Sequence, residues 1–151
     1  MSKRQVITYL LDSSVWIALA IERHTFHPKA QIFFDEKTEP QSLLFCRATQ
    51  QTLLRLLTTD SILRAYGMIT LTNQEAWDLY DSLESHSKVG FMTESVGHDR
   101  LWRELSALKT TSPKVWMDSY LAAFAIANDL TVVSLDKDFA QYPGLKLELL
   151  N

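Results

Sequence analysis

The chain has 151 residues, 46% of them hydrophobic and 22% charged, with a formal net charge of −3 and an isoelectric point near 5.8. That length suits one domain with a sizeable core, and the mild acidity argues against tight nucleic-acid binding through a global positive field, although RNA stays open as a substrate reached through a bound cation. No run approaches the roughly 18 apolar residues that span a bilayer, the N-terminus lacks a secretory pattern, and the lone Cys46 rules out an internal disulfide, so a cytoplasmic chain without membrane association is expected.

Val6 to Leu11 is an apolar, β-branched and aromatic run that predicts a buried strand, closed by Asp12. Ser13 to Ile21 is helix-compatible, and Pro28 opens a second helix through Ala30, Ile32, Phe33 and Phe34. Gln41 to Cys46 predicts a short strand. A helix then begins near Arg47, with Leu53, Leu54, Leu56 and Leu57 on its apolar face, and Ser61 to Tyr66 prolongs it. Asn73 to Ser85 predicts a helix carrying Ala76, Trp77, Tyr80 and Leu83 on one side, Val89 to Met92 a strand, and Gly97 to Leu108 an amphipathic helix. Ser112 and Pro113 have the form of a helix cap and first residue for an apolar helix through Val115, Trp116, Leu121, Ala122, Phe124, Ala125 and Ile126. Leu130 to Leu135 is a second apolar strand, closed by Asp136, and Leu145 to Leu150 is the last. This alternation predicts a single α/β domain over residues 1–151, a three-layer α/β/α sandwich around a mainly parallel sheet.

Four aspartates sit where apolar patterning least tolerates them. Asp12 and Asp136 end the two most apolar strands, Asp138 follows two residues later, and Asp118 has Val115, Leu121 and Ala122 as helical neighbours. In an open parallel sheet the carboxyl ends of the strands share one crevice, and a carboxylate on a buried helix face needs a cation or a hydrogen-bond network to offset its lost hydration. Each residue also has an ordinary reading: Asp12 caps the following helix, Asp136-Lys137-Asp138 forms a polar turn, and Asp118 interacts with first-turn amides or Lys114. Ser13 and Ser14 are placed to touch phosphate or fix Asp12, but no Ser-His-Asp arrangement makes either a nucleophile. His24 and His27 lack a third ligand for zinc, while His86 and His98 read as surface or helix-end residues, so hard oxygen ligands favour magnesium, with manganese as its substitute. Lys29, Arg47, Arg55, Arg100, Arg103, Lys114 and Lys137 are scattered cations able to steer phosphates, or simply to solvate helix faces. Trp16, Trp77, Trp102 and Trp116 all fall on predicted helices, where core burial is the commoner fate.

The stretches Leu-Leu-Asp-Ser-Ser-Val-Trp-Ile-Ala-Leu at 10 to 19, Phe-Cys-Arg-Ala-Thr-Gln-Gln-Thr-Leu-Leu-Arg-Leu-Leu-Thr at 45 to 58, Trp-Met-Asp-Ser-Tyr-Leu-Ala-Ala-Phe-Ala at 116 to 125 and Ser-Leu-Asp-Lys-Asp-Phe at 134 to 139 resemble, in order and spacing, PIN-domain ribonucleases, most of all the VapC toxins of toxin–antitoxin pairs. The resemblance implies metal-dependent hydrolysis of RNA phosphodiesters, with Asp12 and Asp118 as principal metal ligands, Asp136 completing the pocket and Asp138 assisting. It further implies a homodimer and a cognate VapB-like antitoxin. One element departs from the pattern: residues 47 to 59 contain no acid where the family usually has a glutamate, and Gln50, Gln51 or Thr52 stands there, Gln50 being the favoured substitute. Losing that charge weakens a second metal position most, so one resting metal is expected. Two other readings compete. A degenerate PIN module would bind RNA or protein without cutting, and a haloacid-dehalogenase-type phosphatase would need a second acid where Ser14 stands.

Overall fold

A computed structural model describes residues 6–151. The first five residues of the expected domain lie outside that range. Strands β1 (Tyr9–Leu11), β2 (Leu43–Phe45), β3 (Val89–Phe91), β4 (Thr131–Ser134) and β5 (Lys146–Leu149) form one sheet in the order β3-β2-β1-β4-β5, and every pairing is parallel. Among the described residues seven α-helices accompany it: α1 (Ser13–Ala20), α2 (His27–Glu36), α3 (Arg47–Leu57), α4 (Asp60–Ala65), α5 (Asn73–Glu84), α6 (His98–Ser106) and α7 (Val115–Ala127). The expected α/β class and parallel sheet are therefore present.

Side-chain alternation along the strands divides the core into two layers. Tyr9, Leu11, Leu43, Phe45 and Val133 pack with Trp16, Phe33, Leu53 and Tyr80 of α1, α2, α3 and α5. Leu10, Leu44 and Val132 point the other way, against Leu121, Phe124 and Ala125 of α7. Trp16 stacks on Phe45 with ring centroids 3.8 Å apart, anchoring α1 across the middle of the sheet.

Several boundaries move from those expected. Val6 and Ile7 are 53% and 55% exposed and precede the ladder, which begins where the Tyr9 amide donates to the Ser42 carbonyl. Gln41, at φ +50°, belongs to the turn before β2. α4 is a separate helix rather than a continuation of α3, because the hydroxyls of Thr58 and Thr59 take the last carbonyls of α3. α7 starts at Val115, two residues after the proline, with Lys114 at its cap and no side-chain cap bond. Its predicted apolar stripe also includes a residue that folding leaves out: Trp116 is 57% exposed. Of the four tryptophans only Trp16 is fully buried.

The sheet order locates the crevice. The chain runs outward from β1 through β2 to β3, then returns to the other side of β1 for β4 and β5. That reversal falls between β1 and β4, and open parallel sheets bind ligands outside the carboxyl ends of strands at such a point.

Candidate acidic active site

Asp12 follows the last residue of β1 and caps α1. Its backbone amide donates to the Val133 carbonyl at 3.0 Å, continuing the β1–β4 pairing by one residue. The carboxylate is buried, at 6% exposure, and receives three hydrogen bonds: from the Ser14 hydroxyl at 2.5 Å and the Val15 amide at 3.1 Å on Oδ1, and from the Ser134 hydroxyl at 2.5 Å on Oδ2. Burial pushes the Asp12 carboxyl above its ordinary range, while these donors pull it back toward the ionised form. Asp12 is thus a helix cap and a buried carboxylate at once, so the capping reading of the sequence does not exclude the other.

Ser134 and Ser14 each make two bonds. The Ser134 hydroxyl donates to Asp12 and accepts from the Asp136 amide at 2.9 Å; the Ser14 hydroxyl donates to Asp12 and accepts from the Leu135 amide at 3.2 Å. Two hydroxyl relays therefore fasten the end of β1 to the end of β4. Ser14, and not Ser13, is the serine that holds Asp12. Ser134 was not among the expected residues. Its one signal in the sequence is a hydroxyl inside an apolar strand, two positions before Asp136.

Asp136 and Asp138 are exposed and lie at the start of a short 3-10 helix (Lys137–Gln141). The Asp136 carboxylate caps it by accepting from the Asp138 amide at 2.9 Å, so the polar-turn reading holds as well. Asp118 lies in the first turn of α7 and is half-buried rather than sealed in the core. Its carboxyl is pushed up to about 6, first by burial and then by the negative charges of Asp136, Asp12 and Asp138, with Lys114 alone pulling it down. The other three expected aspartates thus all bear on Asp118 electrostatically.

Tyr142 faces the same charges. Burial and then Asp118, Asp136 and Asp138 push its phenol up to about 12, and its buried hydroxyl has no hydrogen-bond partner among the described residues. Nothing in the sequence marks this tyrosine beyond its place four residues after Asp138.

Gln50 turns elsewhere. Its side chain is buried, its carbonyl oxygen accepts a hydrogen bond from the Arg47 guanidinium, and it lies beside Tyr80. Among the described residues its side-chain hydrogen bond is thus to Arg47, and none to an aspartate is seen. His24 and His27 are also occupied, the first accepting from the Phe26 amide at 3.0 Å and the second bonded to the Ala18 carbonyl at 2.8 Å. His98, expected at the surface or at a helix end, opens α6 but is 1% exposed: Nε2 meets the Tyr120 carbonyl at 3.0 Å and the ring is enclosed by Trp102, Tyr120 and Phe124. The reason is its place at the start of α6, on the face that packs against α7.

Among the described residues no three His, Cys, Asp or Glu side chains close into a ready-made metal cage. The donors present are nonetheless those of a hard cation. The negative charges of Asp136, Asp12 and Asp138 bear on Asp118 with Lys114 alone opposing them, and magnesium commonly binds through one or two carboxylates while keeping several waters. A zinc cage of nitrogen and sulfur ligands does not fit this set.

A family model for the PIN domain matches residues 9–145. The chain belongs to the PIN-domain family. This PIN domain is 42% identical over 142 residues to Ribonuclease VapC41 of Mycobacterium tuberculosis, in strains CDC 1551 / Oshkosh and ATCC 25618 / H37Rv, a match covering 93% of this chain and 97% of the relative. The resemblance to VapC ribonucleases therefore holds over almost the whole chain. Among solved structures it is similar to VapBC-1 from nontypeable Haemophilus influenzae, with a TM-score of 0.67 at 14% identity over 95% of this chain and 98% of that one. VapBC2 from Rickettsia felis, crystallised bound to a DNA fragment from its promoter, gives a TM-score of 0.64 at 15% identity, again over 95% and 98%. At such identities the likeness is one of fold. Membership of the PIN family displaces the phosphatase reading, which already lacked its second acid at Ser14. No helix among the described residues is long and apolar enough to cross a membrane.

Proposed function

We propose that this PIN domain is a metal-dependent endoribonuclease toxin that hydrolyses RNA phosphodiester bonds, acts in the cytoplasm as a homodimer, and is neutralised by a cognate VapB-like antitoxin. The observation that carries the catalytic part is the state of Asp118: half-buried, raised to about 6 and faced by three other aspartates, it is an acidic position in want of positive charge. Asp12 and Asp118 are the principal ligands, and Asp136, with Asp138 beside it, completes the pocket. Bound magnesium, or manganese in its stead, supplies positive charge next to the scissile phosphate and lowers the pKa of water. Ser14 and Ser134 hold both oxygens of Asp12 in place, which fixes the direction in which its remaining lone pairs point. Asp136 and Asp138 accept hydrogen bonds from water at the open side and orient it for in-line attack. Lys114, near Asp118, is placed to meet phosphate charge. The antitoxin partner is supported by the structural relatives, whose names describe VapBC pairs.

A second reading, an RNA- or protein-binding PIN module without cleavage, is favoured by one observation: residues 47 to 59 supply no acid, and Gln50 is tied to Arg47. Cleavage of structured RNA by the purified chain, in magnesium and in EDTA, separates the two. The nuclease reading expects magnesium-dependent cutting that Asp12→Asn and Asp118→Asn each reduce at least a hundredfold, the order of effect for removing a group that stabilises charge in the transition state. Equal cutting by wild type and both variants rejects the assignment, and metal-independent binding without cutting favours the module.

A further inference from the structure

The carboxyl edge of the sheet carries more than the aspartates. Helix α7 contributes Asp118, which feels the charges of Asp12 after β1 and Asp136 after β4, and also Trp116, Met117 and Tyr120, which together with Arg47 and Phe91 wall a cleft of about 560 Å³. That volume falls within the range of small-ligand pockets. Phe91 ends β3 and Arg47 follows the turn out of β2, so the cleft opens at the same edge as the aspartates, over β2 and β3. With strands about 4.8 Å apart, the step from the β1/β4 junction to the β2/β3 junction is on the order of 10 Å.

The lining is unlike an ordinary apolar face. Trp116 and Met117 are 57% and 47% exposed, large side chains that folding leaves in water. The Arg47 guanidinium lies over the Phe91 ring, 4.7 Å from its centroid, placing a cation on an aromatic wall. Glu94, the acid of the lining, is occupied by the Tyr120 hydroxyl, which donates to it at 2.5 Å. Aromatic faces beside a guanidinium, at the same sheet edge as the acidic site, match what an unpaired base and its backbone present.

We propose that this cleft is a stacking subsite for an unpaired base of single-stranded RNA, lying one or two nucleotides from the phosphate at the carboxylates, with Trp116 as the stacking platform and Arg47 meeting the intervening phosphate. This rests on the ribonuclease reading of the acidic site. Bases inside an A-form duplex are stacked on each other and cannot enter, so the subsite directs the enzyme to loops and single strands.

The test uses an oligoribonucleotide with a single 2-aminopurine, bound to the Asp118→Asn protein so that it is not consumed. Fluorescence quenching on binding is expected, and adding Trp116→Ala should weaken affinity about tenfold and remove the quenching, while Trp116→Phe keeps most of both. Arg47→Gln should lower the salt dependence of binding by about one charge. Trp116 is exposed, and the bond from the Trp102 indole at 2.9 Å ends on its backbone carbonyl, so truncating the side chain leaves that bond and the core intact. Circular dichroism and the melting temperature verify this, and Trp116→Phe serves should the alanine variant fail to fold. Unchanged affinity and quenching in Trp116→Ala, with wild type still cutting RNA, overturns the subsite and leaves the nuclease standing. If wild type neither binds nor cuts, the nuclease reading falls first. Should Trp116→Ala leave RNA affinity untouched but break a homodimer or an antitoxin complex in light scattering, the cleft is a protein interface and the proposal is wrong.

Discussion

Replacing Asp118 by asparagine should make the metal-free protein more stable at neutral pH. Folding raises this carboxyl from 3.8 to about 6, so the native state holds its proton more tightly than the unfolded chain does. Below pH 3.8 the group is protonated in both states and costs nothing. As pH rises from there, the unfolded chain gives up its proton first and stability falls, until above about pH 6 the full penalty is present. The shift corresponds to about 3 kcal/mol at 1.36 kcal/mol per pH unit, which solvent screening of a half-exposed group reduces to about 1–2 kcal/mol. For a domain of this size that is about 2–8 °C in melting temperature. Thermal melts in EDTA at pH 7.5 and pH 4 measure it: Asp118→Asn should melt higher than wild type at pH 7.5, and the two should converge at pH 4. A variant that melts at or below wild type at pH 7.5 in EDTA would show that the surrounding aspartates do not strain this position, and the case for a cation would lose its physical basis.

Magnesium should reverse that order. At a hundred times its dissociation constant it stabilises wild type by about 2.7 kcal/mol, visible in the same melts, and Asp118→Asn should lose most of the gain. Ser134→Ala removes one donor to the buried Asp12 and the acceptor of the Asp136 amide, and urea unfolding should show a loss of about 1–3 kcal/mol. Tyr142→Phe deletes a buried hydroxyl that has no protein partner, so unfolding free energy should stay level or rise by up to about 1 kcal/mol in EDTA. Its neighbour Phe139, 1% exposed, gives the contrast: Phe139→Ala should cost about 3–5 kcal/mol in the same titration.

The fold was legible where a residue's environment follows from chain-local pattern. Continuous apolar runs mark buried parallel strands, and in β1 and β4 the acid closing the run, Asp12 or Asp136, marks the edge at which the strand leaves the core; Asp118 stood out instead as a carboxylate among the apolar residues of a helix. Two kinds of information were not local. Ser134 acts on Asp12 across 122 residues, and a serine in an apolar strand carries no mark of the carboxylate it will meet. His98 is polar and opens a helix, yet its burial depends on how α6 seats against α7, with three aromatic rings closing round it. The bond that Gln50 accepts was no more legible: its position on α3 suggested the acidic site, while its contact with Arg47, one turn earlier, depends on side-chain conformation. Helix periodicity likewise could not separate Trp16, in the core, from Trp116, which faces the cleft.

The seam between β1 and β4 also governs when the pocket can exist. Tyr9, Leu10 and Leu11 pair on one side with Thr131, Val132 and Val133, so this central pairing joins segments about 120 residues apart in the chain. Such distant contacts form slowly, since a long loop must close before they give any return. A polypeptide still emerging from the ribosome has the first aspartate but neither the serine that steadies it nor the acid across from it. Whatever chemistry this crevice performs, it can begin only after β4 and Asp136 have been made and have folded back onto β1.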